Sequence, residues 1–309
     1  MLQDPERGSV ENPELCRAIL KSCFPDLEVS RLDPVGGGLD NFVVEVNDEY
    51  IFRFPRRADA EERLRKEVHL LPRLTRKLSV QVPRFDLVWR GRGAWKFWCV
   101  GYRKIRGEPM EPAAATGPAA RPFIESLSRV LSELHGFSLG DELRCHVPSS
   151  NPLQWWAEMM AFYLQVEKSV SPLLEPSIWR KADTRWKDFL RDKTNFCFRP
   201  VLIHRDIGMK HILFDPERQR ISGVIDWGGC SVGDPAFDFG CLLSDYGRGV
   251  FSRLLARYGG EVDRAFPLRA DFYSKILPYY ELLFGVLAKD IEHIENGIAR
   301  LEDTRHLLP

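Results

Sequence analysis

Apolar and polar positions alternate in short runs through the first third of the chain, then give way to a rhythm of three to four residues. FVVEV (42–46) and YIFRF (50–54) flank Asn47, Asp48 and Glu49. β-Branched and aromatic residues on both sides of a polar turn predict a hairpin. The run Val-Gly-Gly-Gly-Leu-Asp-Asn (35–41) leads into it as a glycine-rich turn. Leu64, Val68, Leu71, Leu74 and Leu78 then fall on one helical face, and Pro72 within that pattern is expected to kink or end the helix. VPRFDLVWR (82–90) and WKFWCVGYRKI (95–105) return to the strand pattern.

Three prolines and two glycines break regular structure between Gly107 and Ala120, which places a domain boundary there: residues 1–106 as one lobe, 107–309 as another. Beyond it, Phe123, Leu127, Val130, Leu131 and Leu134 mark an amphipathic helix with His135 in its last turn and Gly136 as its stop. Helical segments containing Trp155, Trp156, Trp179 and Trp186 run from Asn151 to Leu190. VLI (201–203) reads as a strand, and HILFD (211–215), PERQR (216–220) and ISGVIDW (221–227) read as strand, turn and strand. Helices fill the remainder. The predicted class is α+β, with a small β-rich N-terminal lobe and a larger, mostly helical C-terminal lobe.

Lysine plus arginine and aspartate plus glutamate both total 44, so no bulk attraction to nucleic acid or to an anionic membrane is expected. The longest late apolar run, Ile276 to Ala288, is too short to span a bilayer and contains Glu281. Seven cysteines without a CxxC pair point to buried free thiols rather than to a disulfide framework. A soluble cytoplasmic protein is expected from these facts, and a monomer is expected without any sequence feature that decides it.

The chemistry concentrates in VLIHRDIGMKHILFD (201–215). His204, Arg205 and Asp206 precede the predicted hairpin and Asp226 follows it, so two carboxylates twenty positions apart are expected at one edge. Such a pair suits phosphoryl transfer, one carboxylate orienting an acceptor hydroxyl and the other holding Mg²⁺ on nucleotide phosphates. An Asp that only caps backbone amides is the bland alternative. Gly36, Gly37 and Gly38 can let backbone amides approach phosphates, or can simply make a tight turn.

In the words HILFD, GVIDWG and GDPAFDF the chain resembles the aminoglycoside phosphotransferase family, a small-molecule branch of the protein-kinase-like fold, and within it the 2''-phosphotransferases, with macrolide phosphotransferases as near relatives. FRFP, KEV, KIRGEP, LSELH and IENGIARLE extend the resemblance along most of the chain. It implies a two-lobed kinase-like fold and transfer of the γ-phosphate of GTP or ATP. It also implies Asp206 as the catalytic base, and His211 and Asp226 as metal ligands. Arg53 stands where the family usually has a phosphate-binding lysine, and Glu67 fits that residue's helix partner. Backbone at Tyr102, Arg103 and Ile105 is implied to meet the purine. His211 replaces the commoner Asn; imidazole is a poor ligand for Mg²⁺ and a better one for Mn²⁺.

Only eleven residues separate Asp226 from Asp238, too few for the activation segment on which protein kinases dock peptides, so a small acceptor is expected. A polycationic acceptor needs carboxylates. Residues 281–303 carry six acidic residues, among them Glu292 and Glu295 one helical turn apart, and Asp245 can join them; a solvated helix face explains the same charges. An aminoglycoside acceptor is thus expected, with a macrolide 2'-phosphotransferase or an inactive nucleotide-binding homologue as alternatives.

Overall fold

The computed structural model describes residues 12–37, 40–92 and 95–303. They form two compact units. The first holds the described residues up to Glu108 together with Ile212–Gly229, and the second holds Pro109–His211 and the described residues from Cys230 on. The chain therefore passes between units three times, where the sequence pattern pointed to a single cut after residue 106.

The first unit is built on a five-stranded antiparallel sheet. Its strands are β1 (Leu32–Gly37), β2 (Asn41–Val46), β3 (Tyr50–Pro55), β4 (Phe85–Arg92) and β5 (Trp95–Arg103), in the order β1-β2-β3-β5-β4. The expected β2–β3 hairpin forms, pairing Val46 with Tyr50, and Asn47 and Asp48 both take left-handed φ (58° and 56°), the conformation such turns require. The preceding glycine-rich run is more than a turn: Leu32, Asp33 and Pro34 pair with Val46, Glu45 and Val44, and Gly36 and Gly37 belong to β1. A proline is tolerated there because β1 is an edge strand.

Helix α1 (Pro13–Cys23) starts at Asn12, whose side chain accepts the Glu14 amide at 2.9 Å. Its Cys16, Ile19 and Leu20 share a core with Val44, Phe52, Phe54 and Cys99. Helix α2 (Ala58–Leu74) runs through Pro72 and stops two residues later. Pro72 has no N–H to donate to the Val68 carbonyl, and the helix ends two residues beyond it as expected, with Thr75 donating to the Leu71 carbonyl at 2.9 Å. Two further strands, β7 (Ile212–Asp215) and β8 (Arg220–Val224), pair Ile212 with Val224. They join this unit through Gln81, which donates to the Ser222 carbonyl and accepts from the Val224 amide.

The second unit is mostly helical: α3 (Ala120–His135), α4 (Pro152–Ser169), α5 (Pro176–Arg191), α6 (Ala236–Leu255), α7 (Phe266–Ala288) and α8 (Ile291–Asp303). Helix α4 opens with a capping box in which Asn151 and Gln154 exchange side-chain to backbone bonds. Trp155 and Trp186 are fully buried core residues, the former edge-on to Phe237 and Tyr273 and the latter to Phe272. One short sheet pairs β6 (Val201–Ile203) with β9 (Ser231–Gly233), thirty positions away in sequence. Helix α6 kinks at Gly247, whose φ of 76° and ψ of 177° are open only to glycine.

All seven cysteines are free thiols as expected, but Cys145 and Cys197 are exposed, since both lie outside the helical core. Among the described residues no helix is long and apolar enough to cross a membrane.

Candidate active site

In the second unit, His204, Arg205 and Asp206 follow directly on β6. Asp238, in the first turn of α6 and fully buried, accepts the His204 amide at 2.9 Å and the Arg205 amide at 2.7 Å. Arg205 is held with φ at 69°, a left-handed conformation costing an ordinary residue about 1–3 kcal/mol unless its surroundings impose it. Its side chain supplies part of that imposition. The guanidinium lies 5.0 Å from the Trp155 ring and donates to Glu158 at 3.1 Å. The strained backbone turns out Asp206, whose carboxylate remains 67% exposed.

The structure brings His211 to Asp206. Nδ1 of His211 lies 2.6 Å from the Asp206 carbonyl oxygen, which can only accept, so Nδ1 carries the hydrogen and in the neutral ring the lone pair sits on Nε2. Asp245, expected in the acceptor pocket, accepts the Met209 amide at 2.7 Å, and one of its oxygens stands 2.5 Å from where a Cβ on Gly208 would be. That carboxylate is partly committed to the backbone following the Asp206 loop. Glu292 and Glu295 are exposed on α8.

In the first unit, Arg53 on β3, Glu67 on α2 and Asp226 after β8 come together. Arg53 donates to Glu67 at 2.7 Å and to Asp226 at 3.4 Å, with side-chain exposures of 7%, 0% and 49%. Burial works against the Arg53 charge, but the two carboxylates overcome it and hold the guanidinium more firmly protonated than usual. Burial likewise pushes the Glu67 carboxyl upward, opposed by Arg53. Oε1 of Glu67 is buried without a hydrogen-bond partner among the described residues. A Cβ on Gly228 would lie 3.5 Å from both that atom and Asp226 Oδ1, so two carboxylate oxygens border one small space. Asp226, like Arg205, is left-handed, with φ at 61°.

The remaining expected nucleotide residues divide. Tyr102 is buried edge-on to Phe85, and its phenol is pushed upward chiefly by burial. Ile105 is buried and Arg103 is exposed in an ion pair with Glu49. The side chains of Tyr102 and Ile105 are thus packed inward, leaving backbone as the part able to meet a base. Gly38 lies outside the described residues.

Lys66 and Arg269 carried no signal that was read from the sequence, whereas Asp234 and Asp238 were expected to hold backbone around the catalytic loop and the start of the next helix, and they do. Lys66, next to Glu67 in the KEV motif, is buried and donates to the Gly228 carbonyl at 2.6 Å, fixing the turn after Asp226. Asp234, fully buried, caps α6 at the Ala236 amide and pairs with Arg269 at 2.7 Å; Arg269 also holds Asp263 at 2.7 Å. Among the described residues no group of three or more His, Cys, Asp or Glu side chains is placed to hold a metal ion.

Comparison with known proteins gives this geometry a context. The chain is 25% identical over 281 residues to the Bacillus subtilis (strain 168) protein YcbJ, covering 85% of this chain and 87% of that one. It is 25% identical over 201 residues to viomycin phosphotransferase of Streptomyces vinaceus, covering 63% and 67%. A solved structure described as the GDP and kanamycin complex of APH(2")-IIia superposes with a TM-score of 0.85 at 26% identity, covering 94% of this chain and 98% of that one. The α+β fold expected from the sequence is that of these kinase-like phosphotransferases. The model of the phosphotransferase enzyme family (APH) matches residues 31–270, and the chain belongs to that family.

Proposed function

We propose that the protein transfers the γ-phosphoryl group of GTP or ATP to a hydroxyl of a small cationic natural product of the aminoglycoside class. The observation that carries this reading is Asp206: an exposed carboxylate that directly follows the strained Arg205 backbone, whose amide Asp238 clamps. Asp238, by contrast, is fully buried, and its carboxylate is spent on the His204 and Arg205 amides. In the reaction Asp206 accepts the hydrogen of the acceptor hydroxyl, that oxygen bonds to the γ-phosphorus, and the bond from the γ-phosphorus to the β-phosphate bridge breaks to release the nucleoside diphosphate. The aminoglycoside class draws support from the neighbour described with GDP and kanamycin.

For a divalent cation Asp226 would offer its half-exposed carboxylate, with Glu67 Oε1, which has no hydrogen-bond partner among the described residues, as negative charge nearby. The resemblance adds His211 as a second ligand, which in the neutral ring would bind through Nε2. When bound, such a cation neutralises charge on the transferring phosphates. Oxygen donors suit Mg²⁺; the imidazole favours Mn²⁺. Arg53, fixed by Glu67 and Asp226, would present its remaining N–H groups to the α and β phosphates.

The test is a turnover panel of kanamycin, gentamicin and erythromycin, each with ATP and with GTP. The proposal expects phosphorylation of kanamycin or gentamicin and none of erythromycin. Phosphorylation of erythromycin alone would make the protein a macrolide kinase, and turnover of none would leave this aminoglycoside reading without support.

A further inference from the structure

His135 and Tyr258 have no part in the reaction described above, yet they lie directly behind the residue that shapes the catalytic loop. Nε2 of His135 is 3.1 Å from Oδ2 of Asp238, and Nδ1 is 2.7 Å from the Tyr258 hydroxyl. The carboxylate can only accept, so Nε2 carries a hydrogen, and in the neutral ring Nδ1 is then the acceptor of the Tyr258 O–H. The hydrogens run one way: tyrosine to imidazole, imidazole to carboxylate, with the carboxylate receiving the His204 and Arg205 amides.

The chain of bonds is rigidly placed. His135 closes α3 with its side chain 1% exposed, and Asp238 is at 0%. Tyr258 stands edge-on to the His135 ring with centroids 5.4 Å apart, and Ser132, one turn earlier on α3, accepts the adjoining Gly259 amide at 2.9 Å. A carboxylate taking only two amides could rotate about its final bond; one held on a third side by an imidazole that is itself oriented cannot do so freely. The strain at Arg205 needs such a fixed anchor, because the amide that Asp238 receives at 2.7 Å is Arg205's own, one residue before Asp206.

We propose that His135 and Tyr258 are positioning residues for phosphoryl transfer, orienting Asp238 so that the strained His204–Arg205 backbone delivers Asp206 to the acceptor hydroxyl. The kinetic part of this rests on Asp206 acting as proposed above; the structural part does not.

Two variants separate the roles. Tyr258→Phe keeps the ring and removes only the hydroxyl. Tyr258 and His135 both line a cavity of about 530 Å³, so water can replace that donor, and a loss in kcat of about three- to tenfold is expected. His135→Phe leaves Asp238, which is fully buried and does not line that cavity, short of a donor, and a loss of about ten- to a hundredfold follows, the size that a small misplacement of a catalytic group produces. In both, KM for the nucleotide should stay within about twofold, because no nucleotide-binding group is altered. His135→Gln, whose amide can donate in place of Nε2, should recover much of the lost kcat.

The decisive experiment pairs those kinetics with hydrogen exchange of the full-length protein, read in the peptide covering residues 202–207. Exchange of the His204 and Arg205 amides should accelerate about fivefold or more in His135→Phe and fall back in His135→Gln, while peptides from α5 stay unchanged. Unchanged exchange at 202–207 in His135→Phe would overturn the proposal, as would a kcat loss that merely tracks the fraction unfolded. If instead exchange accelerates while Asp206→Asn retains full turnover, the positioning stands and the assignment of Asp206 fails.

Discussion

Replacing Glu67 with alanine tests the anchor of the first unit. Arg53 is 7% exposed and would lose its 2.7 Å partner, keeping only Asp226 at 3.4 Å. Stranding one member of a buried ion pair costs about 3–5 kcal/mol. The surviving half-exposed Asp226 offsets part of this, so about 3 kcal/mol is expected for Glu67→Ala. Glu67→Gln keeps an acceptor without the charge and should lose about half as much. Arg53→Met strands Glu67 instead and should match Glu67→Ala or exceed it, since Glu67 Oε1 already lacks a donor among the described residues. The assay is urea unfolding, read by a probe in the first unit, on these variants, on the singles Arg53→Met and Glu67→Met, and on the double Arg53→Met/Glu67→Met. Because two facing apolar side chains leave no buried charge, the double variant should be more stable than either charged-to-neutral single. Strict additivity of the two singles would refute the view that these residues are held by each other.

Further outcomes follow from other parts of the molecule. Gly247→Ala should destabilise by about 1–3 kcal/mol in thermal unfolding although nothing stands within 4 Å of the new methyl, because the cost lies in the backbone angles alone; an unchanged midpoint would show that α6 can straighten there. Lys66→Met should raise nucleotide KM with little change in fold, since it frees the Gly228 carbonyl and the turn after Asp226; binding measured by calorimetry checks it. At Asp263, burial alone would raise the carboxyl, but its bonds to Arg269 hold it below its ordinary value. A depressed folded value contributes stability above the unfolded pKa of about 3.9 that is lost as pH falls below it. Stability of the wild type should therefore drop more steeply between about pH 4.5 and 3 than that of Asp263→Asn; parallel curves would contradict the pairing.

What could be read from the sequence was whatever is encoded locally. The β2–β3 hairpin, α3 ending at His135, and the β7–β8 hairpin each rest on residues within about ten positions of one another, where periodicity and turn chemistry suffice. The pairing of Arg53 with Glu67 was legible only through resemblance, since nothing in FRFP or KEV by itself says that they meet. The β6–β9 pairing across thirty positions, the strand role of Gly36 and Gly37, and the attachment of Ile212–Gly229 to the first unit depend on tertiary contacts that leave no local pattern. Pro72 was legible as a helix stop, and α2 ends two residues after it. His135 was visible as a residue in a last helical turn, but its purpose needed Tyr258 and Asp238, more than a hundred positions away. Asp245 was legible as an acidic residue after GDPAFDFG, while its bond to the Met209 amide was not.

The measurement that bears most directly on the function proposed is a single-turnover assay of labelled γ-phosphate transfer to kanamycin by wild type and Asp206→Asn, with nucleotide affinity determined in parallel. Loss of the transfer rate by about 10²–10⁴-fold at unchanged nucleotide affinity is the expected result. Transfer by Asp206→Asn at the wild-type rate would contradict it.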